Sequence, residues 1–457
     1  MSELPPLRRN FRFQMLWIGA ATSGFGSTLT WLAFPLLILA ITGSPATAGL
    51  VSAIRITVDL LMSLPAGVWV DRWDRRRILI IAEAARFGSY AALTLLIFAD
   101  QVALWHIAVV AVINGTADAF FGPARATAIR SVVPPSQLPS AYAQEEARSH
   151  AASLAGPPIG GFLFAVGRVV PFAVDALTYL ISLVCVILAK VPRHPENAAQ
   201  RRKTRMRADI AEAGGWLWRQ RGLRAGLAFS LVSNLVANAL LLPVIVMIES
   251  RGGDSTVTGF VLAGMGLGGL LGALVSARIG AMLPPGRLML AVVGFFALMV
   301  CATALPFGAY WPAVPLFLAM VAVPALNVAL RVLVATMVPD AMMGRLTSLF
   351  GTASMGLTPL APLIGGVLAQ YIGGSGALLV IGGLLAVNVV VAAMGPGLRS
   401  LDTPAPEPAA PARDDADSGE LVAAGEVVAH GAPEAEAARD GSGAAEVELD
   451  REAMRER

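Results

Sequence analysis

Charged residues are scarce in this chain, and their scarcity excludes an ordinary soluble protein. Asp, Glu, Lys and Arg make up 14% of the 457 residues, whereas 56% are hydrophobic. Soluble domains carry roughly a quarter of charged residues. Many of the 46 glycines and 30 prolines stand inside apolar runs, which a bilayer tolerates because neighbouring helices satisfy the freed backbone groups. The composition predicts a protein that crosses a membrane several times.

Cysteine and histidine are nearly absent, which removes the residues that build disulfide frameworks and metal sites. Cys185 and Cys301 stand singly in apolar segments, and the whole chain has four histidines. Without a paired spacing they indicate neither a disulfide nor a metal ion. The sequence also has no Gly-x-x-x-x-Gly-Lys-Ser/Thr loop and no Gly-x-Ser-x-Gly elbow. We therefore expect no cofactor, no coupling to ATP hydrolysis, no enzyme activity and no nucleic-acid partner.

Apolar segments of about 20 residues, the length that crosses a hydrocarbon core, recur along the chain. We place twelve spans, at about 13–41, 46–70, 78–98, 103–124, 142–166, 172–190, 225–249, 257–277, 288–306, 313–333, 346–370 and 375–396. Lys and Arg collect in the connections on one side, whereas the other side carries Arg168 and Arg251. Because basic residues favour the cytoplasmic face, this pattern predicts a multi-pass protein of the plasma membrane with both termini in the cytoplasm.

The two halves of the chain repeat each other at an offset of 205 residues, so that Pro157 matches Pro362 and Gly160-Gly161 match Gly365-Gly366. Such repeats are typical of secondary transporters. We therefore predict a six-helix half at 1–190, a basic cytoplasmic linker at 191–224, a second six-helix half at 225–400 and a disordered acidic cytoplasmic tail at 401–457. For the linker, a segment lying on anionic lipid and a solvated connection remain open alternatives.

A cluster of charges separates the second span from the third. It consists of a glycine, two acids and four arginines: Gly67, Asp71, Arg72, Asp74, Arg75, Arg76 and Arg77. The pattern resembles the loop between the second and third helices of the major facilitator superfamily. Aspartate at position 74, where glycine is commonest, resembles the macrolide and siderophore efflux branch. The resemblance covers about residues 8–400 and implies an all-α membrane protein whose twelve transmembrane helices form two pseudo-symmetric six-helix bundles.

The resemblance also implies that this charge cluster is a cytoplasmic gate. Asp71 is expected to bind the start of the eleventh helix, near 343–348, and the arginines to reach acidic or carbonyl groups at neighbouring helix ends. These contacts would hold the cytoplasmic side shut. The alternative, that the charges only orient the chain in the membrane, explains the arginines but leaves Asp71 unexplained.

Polar residues inside the spans fall in helical register, and such residues normally face a cavity or a partner helix. In the superfamily fold, helices one, four, seven and ten line a central cavity. The resemblance therefore implies that this cavity is lined by Ser23, Ser27, Asn114, Asn234, Asn238, Asn327 and Arg331. Thr30 continues the polar stripe of the first span.

Two carboxylates within the spans are candidates for proton coupling. Asp59 lies near mid-depth in the second span, one turn from Arg55, and Asp118 lies in the fourth. Carboxylates in such places can change protonation as a site alternates between the two sides of a membrane. A permanent Arg55–Asp59 ion pair is an equally open alternative. For Asp118 the nearest cation on its own helix is Arg125, two turns away.

Three more ionisable residues lie in the third and sixth spans. Glu83 and Arg86 have the i,i+3 spacing of a local ion pair, which predicts that they neutralise each other. Asp175 lies in the sixth span, and its sequence context predicts no role for it.

The fifth span carries a run of small and helix-breaking residues: Gly156, Pro157, Pro158, Gly160 and Gly161. The run resembles the Gly-Pro-x-x-Gly-Gly signature of drug:proton antiporters, although a plain packing surface accounts for it as well. The eighth span has Gly264, Gly268 and Gly272 at four-residue spacing. Because such glycines allow close approach of two helices, this face is the predicted partner of the fifth span.

Together these features predict a monomeric secondary active transporter that exports a hydrophobic or cationic small molecule, such as an antibiotic, in exchange for protons by alternating access. Its expected partners are the small-molecule substrate, protons and the lipid bilayer. The alternatives are an uptake permease or facilitator of a small solute, a lipid flippase and a transport-inactive sensor. The antiporter-like run in the fifth span argues against uptake, and a flippase or sensor needs no titrating carboxylates.

Overall fold

The computed structural model describes residues 6–192, 215, 217–337 and 356–399, and within them the chain forms helices joined by short turns. A 3₁₀ turn at Leu7–Arg9 precedes the first helix. The α-helices are α1 (Phe11–Thr42), α2 (Pro45–Arg72), α3 (Arg75–Phe98), α4 (Leu104–Val132), α5 (Leu138–Val166), α6 (Val170–Ala189), α7 (Arg221–Asn238), α8 (Leu241–Ser250), α9 (Ser255–Met282), α10 (Pro285–Thr303), α11 (Ala313–Met337), α12 (Ala361–Met394) and α13 (Pro396–Arg399).

Local sequence signals explain where several helices begin and end. The side chain of Asn10 accepts a hydrogen bond from the Phe13 amide and caps α1. The turn into α2 consists of Gly43, with φ of 63°, and Ser44, whose hydroxyl accepts from the Thr47 amide. Glycine adopts this left-handed conformation without steric cost, and serine is a preferred N-cap. Asp254 caps α9 in the same way.

Nine helices of the described part are long and apolar enough to cross a membrane, counting α7 with α8 as one. The predicted seventh span, 225–249, coincides with one of these segments, but its helix is broken between α7 and α8. Pro243, in the first turn of α8, has no amide hydrogen to donate to Ala239, which lies four residues before it. The last two predicted spans are separated within α12 at Gly373, whose φ of 70° and ψ of 170° are not helical. The eleventh predicted span lies partly outside the described residues.

The helices pack mainly with others of their own half, and the residues that the structure describes belong to one compact unit. In the first half, α1 packs against α5 and α6, α2 against α4, and α3 against α4 and α6. In the second half, α11 packs against α9 and α10, and α12 against α7, α8 and α10. Two pairs, α5 with α9 and α2 with α12, join the first six helices to the later ones. The predicted boundaries of the two halves stay predictions.

Small residues let the helices of these joining pairs meet backbone to backbone. A methyl group on Gly161 of α5 would overlap the Ser255 carbonyl, and one on Gly259 of α9 would overlap the Pro157 carbonyl. Between α2 and α12, a methyl group on Gly49 would overlap the Pro362 carbonyl. At these points the two sets of helices touch backbone to backbone, a geometry that glycine makes possible.

The predicted partner face on the eighth span is wrong. Gly268 and Gly272 of α9 pack against the Phe317 and Val321 carbonyls of α11, within their own half. The contact with α5 is made instead by Gly259 and Gly266, two turns apart on another face of α9. The helix carries two glycine stripes, and spacing alone does not indicate which one meets which neighbour.

Candidate transport site

A cavity of about 140 Å³ lies where the first six helices meet the later ones. The first half contributes Thr30, Trp31 and Phe34 from α1, Ser52 and Arg55 from α2, Tyr90 from α3 and Asn114 from α4. The second half contributes Asn238, Leu241 and Leu242 from the α7–α8 break, together with Thr358 and Pro362. The cavity therefore has mostly apolar and aromatic walls with a few polar groups, which is typical of binding sites for small organic molecules.

A three-helix charge cluster borders this cavity. The Asp118 carboxylate accepts a hydrogen bond of 2.8 Å from Arg55 Nη2 and one of 2.5 Å from Arg86 Nη2. The side chains of Arg55 and Asp118 are each one-third exposed, whereas that of Arg86 is buried. The Arg86 guanidinium also lies 4.7 Å from the centre of the Phe121 ring. Arg55 is also one of the residues that line the cavity, so the cluster borders the cavity through this residue.

The alternative of a permanent Arg55–Asp59 ion pair is wrong, because cross-helix contacts outcompete local spacing. Arg55 pairs with Asp118 of α4 and not with Asp59 one turn away. Asp59 is partly buried and makes no ion pair within the part of the chain that the structure describes. Arg125, the nearest cation to Asp118 on its own helix, pairs with Glu145 of α5.

Glu83 and Arg86 do not neutralise each other directly either. Arg86 binds Asp118, and the buried Glu83 carboxylate accepts a hydrogen bond of 2.7 Å from Ser182 of α6. Spacing of three residues places two side chains on one helix face but does not make them bind when a better partner faces them.

Of the predicted cavity residues, Asn114 and Asn238 line the cavity, while two others face a neighbouring helix. Ser27 makes a 2.8 Å hydrogen bond with the Tyr179 hydroxyl of α6, and Ser23 is buried on the same side of α1. Their assignment to the cavity is wrong because α1 packs against α6 along that face. Thr30, from the same stripe, does line the cavity.

The remaining predicted residues lie elsewhere or outside the described part. Asn234 lies one turn before Asn238 and accepts a hydrogen bond from it through its main-chain carbonyl. Asn327 is exposed on α11. The side chain of Arg331 lies outside the described residues.

Sequence reasoning missed the aromatic part of the site. Tyr90 on α3 and Trp31 and Phe34 on α1 lie on the cavity wall. One signal was available: Glu83, Arg86 and Tyr90 follow one another at helical spacing on α3, and such a polar stripe indicates a face turned toward other polar groups. The apolar members carry no such signal.

In the cytoplasmic gate motif, the structure gives Asp74 a local role. Its carboxylate caps α3 by accepting from the Arg76 amide at 2.9 Å and lies 3.9 Å from Arg77 Nε. The Arg76 guanidinium donates to the Ile187 carbonyl near the end of α6, at 3.2 Å. Gly67 faces open space, and Arg75 is the first residue of α3. The side chains of Asp71 and Arg72 lie outside the described residues, as does the predicted partner segment 343–348.

The antiporter-like run of α5 divides between two neighbours. Gly156 and Gly160 pack against Thr28 and Leu29 of α1. Gly161, with the carbonyl of Pro157 and the backbone of Pro158, packs against the start of α9. One face of the run therefore packs against α1 of the same half, and a second face packs against α9 of the other half.

Comparisons with known proteins agree with this architecture. The profile of the Major Facilitator Superfamily matches residues 16–357 and 227–439. The chain is 27% identical over 408 residues to the multidrug efflux pump Tap of Mycolicibacterium fortuitum, covering 85% of this chain and 96% of that protein. It is 23% identical to macrolide efflux protein A of Streptococcus pyogenes, covering 86% and 97%.

Solved structures show the same fold. A bacterial homologue of the iron transporter ferroportin, in an inward-facing state, superposes with a TM-score of 0.65 at 16% identity, covering 88% of this chain and all of that one (100%). The all-helical architecture, the apolar helices and the matched profile agree with one another. The chain therefore belongs to the Major Facilitator Superfamily, as a multi-pass membrane transporter of small molecules and not an enzyme.

Proposed function

We propose that this transporter exports hydrophobic or cationic drug-like compounds in exchange for protons, by alternating access. The observation that carries the proposal is the position of Arg55, which is one of the residues that line the cavity and whose guanidinium binds Asp118. Any change in the charge of Asp118 therefore acts on a group that borders the substrate volume. The proposal takes the substrate class from the similar proteins, which are named multidrug and macrolide efflux pumps.

The chemistry of the cavity wall supports this substrate class. Trp31, Phe34 and Leu242 offer apolar and aromatic surface, and Asn114 and Asn238 offer amide groups that both donate and accept hydrogen bonds. Aromatic faces attract organic cations as well as apolar rings. A wall of this kind holds amphipathic compounds without selecting one strict shape, as multidrug export requires.

The charge cluster supports proton coupling. An ionised Asp118 neutralises two guanidinium groups, whereas a protonated Asp118 does not. Arg55 can then turn to Asp59, which lies one turn away on α2 and has no ion pair in the described part of the chain. Proton binding thus moves a cation on the cavity wall. A proton entering from outside is exchanged in this way for a substrate held from inside.

The small-residue contacts support alternation between the two sides. Gly161 with Gly259 and Gly49 with Pro362 bring the two sets of helices together through close backbone contacts. Surfaces of this kind separate or slide as rigid bodies move. With both termini in the cytoplasm, as the basic residues predict, these contacts lie at the outer end of the cavity. Each chain has its own cavity, so we expect the monomer to be the working unit.

Proton flux in inverted membrane vesicles tests the proposal. The vesicles carry the full chain, and a macrolide or a lipophilic cation is added outside while luminal pH and drug uptake are recorded. We expect drug entry to release protons from the lumen, and Asp118→Asn to abolish this coupling at an unchanged protein level. The matched control is Glu249→Gln, because Glu249 is exposed at the end of α8, and it should couple as the natural protein does.

The same assay separates the alternatives. Drug movement that is indifferent to pH contradicts proton exchange and favours a facilitator or a flippase. Drug and proton moving in the same direction contradicts export and favours uptake. Coupled transport that persists in Asp118→Asn shows that another group carries the proton.

A further inference from the structure

We infer that Asp175 of α6 is a second, enclosed proton-binding site that exchanges its proton with the cavity through the Thr30 hydroxyl. The inference rests on the proposed proton exchange and adds to it a site behind the charge cluster. The proposed mechanism does not use the Asp175 carboxylate. Asp175 is completely buried, at 0% exposure.

Asp175 is held by hydroxyl groups and by no cation of the described part of the chain. Thr30 Oγ1 donates to Asp175 Oδ2 at 2.6 Å, and Thr178 Oγ1 lies 3.1 Å from Asp175 Oδ1. Both nearby guanidinium groups, those of Arg55 and Arg86, are bound to Asp118 instead. An ionised carboxylate without a counter-ion is very costly away from water, and such a group escapes the cost by binding a proton.

The surroundings of Asp175 are shaped to hold a carboxyl group. A methyl group on Gly26 of α1 would overlap Asp175 Oδ1 and Thr178 Oγ1. The absence of a side chain at Gly26 therefore leaves the room that the carboxyl group and the Thr178 hydroxyl occupy. This is a built pocket for a polar group between α1 and α6, and not a chance gap in the packing.

A hydroxyl connects this pocket with the cavity. Thr30 both donates to Asp175 and lines the cavity. The hydroxyl of Tyr90, another residue of the cavity wall, lies 3.4 Å from Thr30 Oγ1. Glu83 provides a contrast, because its carboxylate is equally buried but is bound by Ser182, which is not on the cavity wall. Of these two enclosed acids, Asp175 is the one with a route to the cavity.

Other charged and titratable groups face Asp175 from the helices around α6. These are Arg86 and Tyr90 on α3, Tyr179 on α6 and Arg55 on α2. The surrounding helices also carry Glu83, which binds Ser182 of α6, Asp118, which binds both arginines, and Arg148 of α5, which binds the Ala20 carbonyl of α1. Arg55 and Arg86 are the cations among these groups, and both bind Asp118. Protonation of Asp118 removes the negative charge that neutralises these two arginines. Proton binding at Asp175 therefore depends on the protonation state of Asp118.

The transfer itself is a relay through one hydroxyl. A hydronium ion in the cavity gives a proton to Thr30 Oγ1 while the proton already on Thr30 passes to Asp175 Oδ2. One O–H bond forms on Thr30 and one on Asp175, and one breaks on the hydronium ion and one on Thr30. The products are water, an unchanged threonine and a neutral carboxylic acid, and the reverse step returns the proton to the cavity.

Infrared spectroscopy of the full-length protein in lipid, without any drug, tests the site. We expect the carbonyl stretch of a protonated carboxylic acid to appear as pH falls and one component of it to be missing in Asp175→Asn. After a pH jump, Thr30→Val should bind this proton about tenfold more slowly, the scale of effect of one hydrogen bond to a charged group. Thr178→Val is the matched control, because Thr178 binds the same carboxyl group but is not on the cavity wall, and its rate should stay unchanged.

Three results would overturn the inference. They are a wild-type spectrum in which no component assigned to Asp175 changes with pH, a spectrum of Asp175→Asn identical to that of the natural protein, and equal rates in Thr30→Val and the natural protein. Because no drug is present, these results are independent of the vesicle assay. A failure of drug–proton exchange in vesicles with an intact Asp175 titration contradicts the proposed function alone.

Discussion

Arg55 and Asp118 are 63 residues apart in the chain, and a 2.8 Å hydrogen bond between Arg55 Nη2 and Asp118 Oδ2 joins them across α2 and α4. Arg86 brings α3 to the same carboxylate. The contacts among these three helices therefore depend on the charge of the Asp118 side chain. One of the two arginines borders the cavity, so the arrangement links protonation, helix packing and the substrate volume in a single contact.

The first prediction concerns the energy of this contact. In a double-mutant cycle of Arg55→Gln and Asp118→Asn, we expect a coupling energy of about 1–3 kcal/mol, between the values for exposed and for buried pairs because both side chains are one-third exposed. The measurement is unfolding of the purified protein by a denaturing detergent. A cycle of Arg55→Gln with Asp59→Asn is the control and should give less than about 0.5 kcal/mol. A larger coupling to Asp59 than to Asp118 would contradict the observed pairing.

The second prediction concerns the contact between α5 and α9. A side chain at Gly161 has no room because the Ser255 carbonyl lies against it, and overpacking of this kind costs about 1–3 kcal/mol. Gly161→Ala should therefore separate the two helices at this end and slow transport by about tenfold. Spin labels placed on α5 and α9 report the distance.

Gly269→Ala is the control for this substitution. Gly269 lies on the same α9, but a methyl group there meets no neighbour within 4 Å. Its transport rate and its helix separation should stay at the wild-type values. Equal effects of the two substitutions would mean that the loss came from the glycine-to-alanine change in general and not from the interface.

The third prediction concerns Asp74, where the residue departs from the commonest form of the gate motif. Since Asp74 caps α3, Asp74→Ala should lower the free energy of unfolding by about 1 kcal/mol, whereas Asp74→Gly should lower it by only a few tenths. Asp74→Ser should keep most of the stability because serine also caps helices. Detergent-induced unfolding measures all three. If alanine were as good as serine, the cap would have no energetic importance.

The fourth prediction concerns substrate binding on the cavity wall. Trp31→Ala removes a large aromatic face, and we expect it to weaken the binding of a lipophilic cation by about 5- to 30-fold, the value of roughly 1–2 kcal/mol for a cation on an aromatic ring. Calorimetric titration of the purified protein measures the affinity. Trp105→Ala is the control, since Trp105 is 63% exposed on α4 and is not on the cavity wall. Equal losses in both variants would place the substrate outside this cavity.

Helix positions followed closely from the sequence, as α3 and α6 illustrate. The predicted span 78–98 corresponds to Arg75–Phe98 and 172–190 to Val170–Ala189. Apolar length and the terminal charges determine such segments locally, because a bilayer requires each one to satisfy its own backbone. The last two predicted spans end at 370 and begin at 375, and the non-helical Gly373 lies in this gap.

Side-chain partners could not be predicted in this way. Local spacing allows Arg55 to pair with Asp59 and Arg86 to pair with Glu83. Both arginines bind Asp118 of α4 instead. Ser27 and Thr30 share one stripe, but the first faces Tyr179 and the second faces the cavity. A row of polar residues on one helix can face two different neighbouring helices. Only the positions of those helices decide which neighbour each residue contacts.

The amino-acid sequence by itself determined the membrane location of the chain, its helices and its family, because hydropathy and the charge-cluster motif are local properties of the chain. Tertiary structure alone decided that one carboxylate serves two arginines, that Asp175 lies beside a cavity-lining threonine and that Gly259, not Gly264, meets α5. The physical reason is that hydrogen bonds and ion pairs depend on distances of about 3 Å. Such distances are set by how whole helices pack, and no spacing along a single helix contains that information.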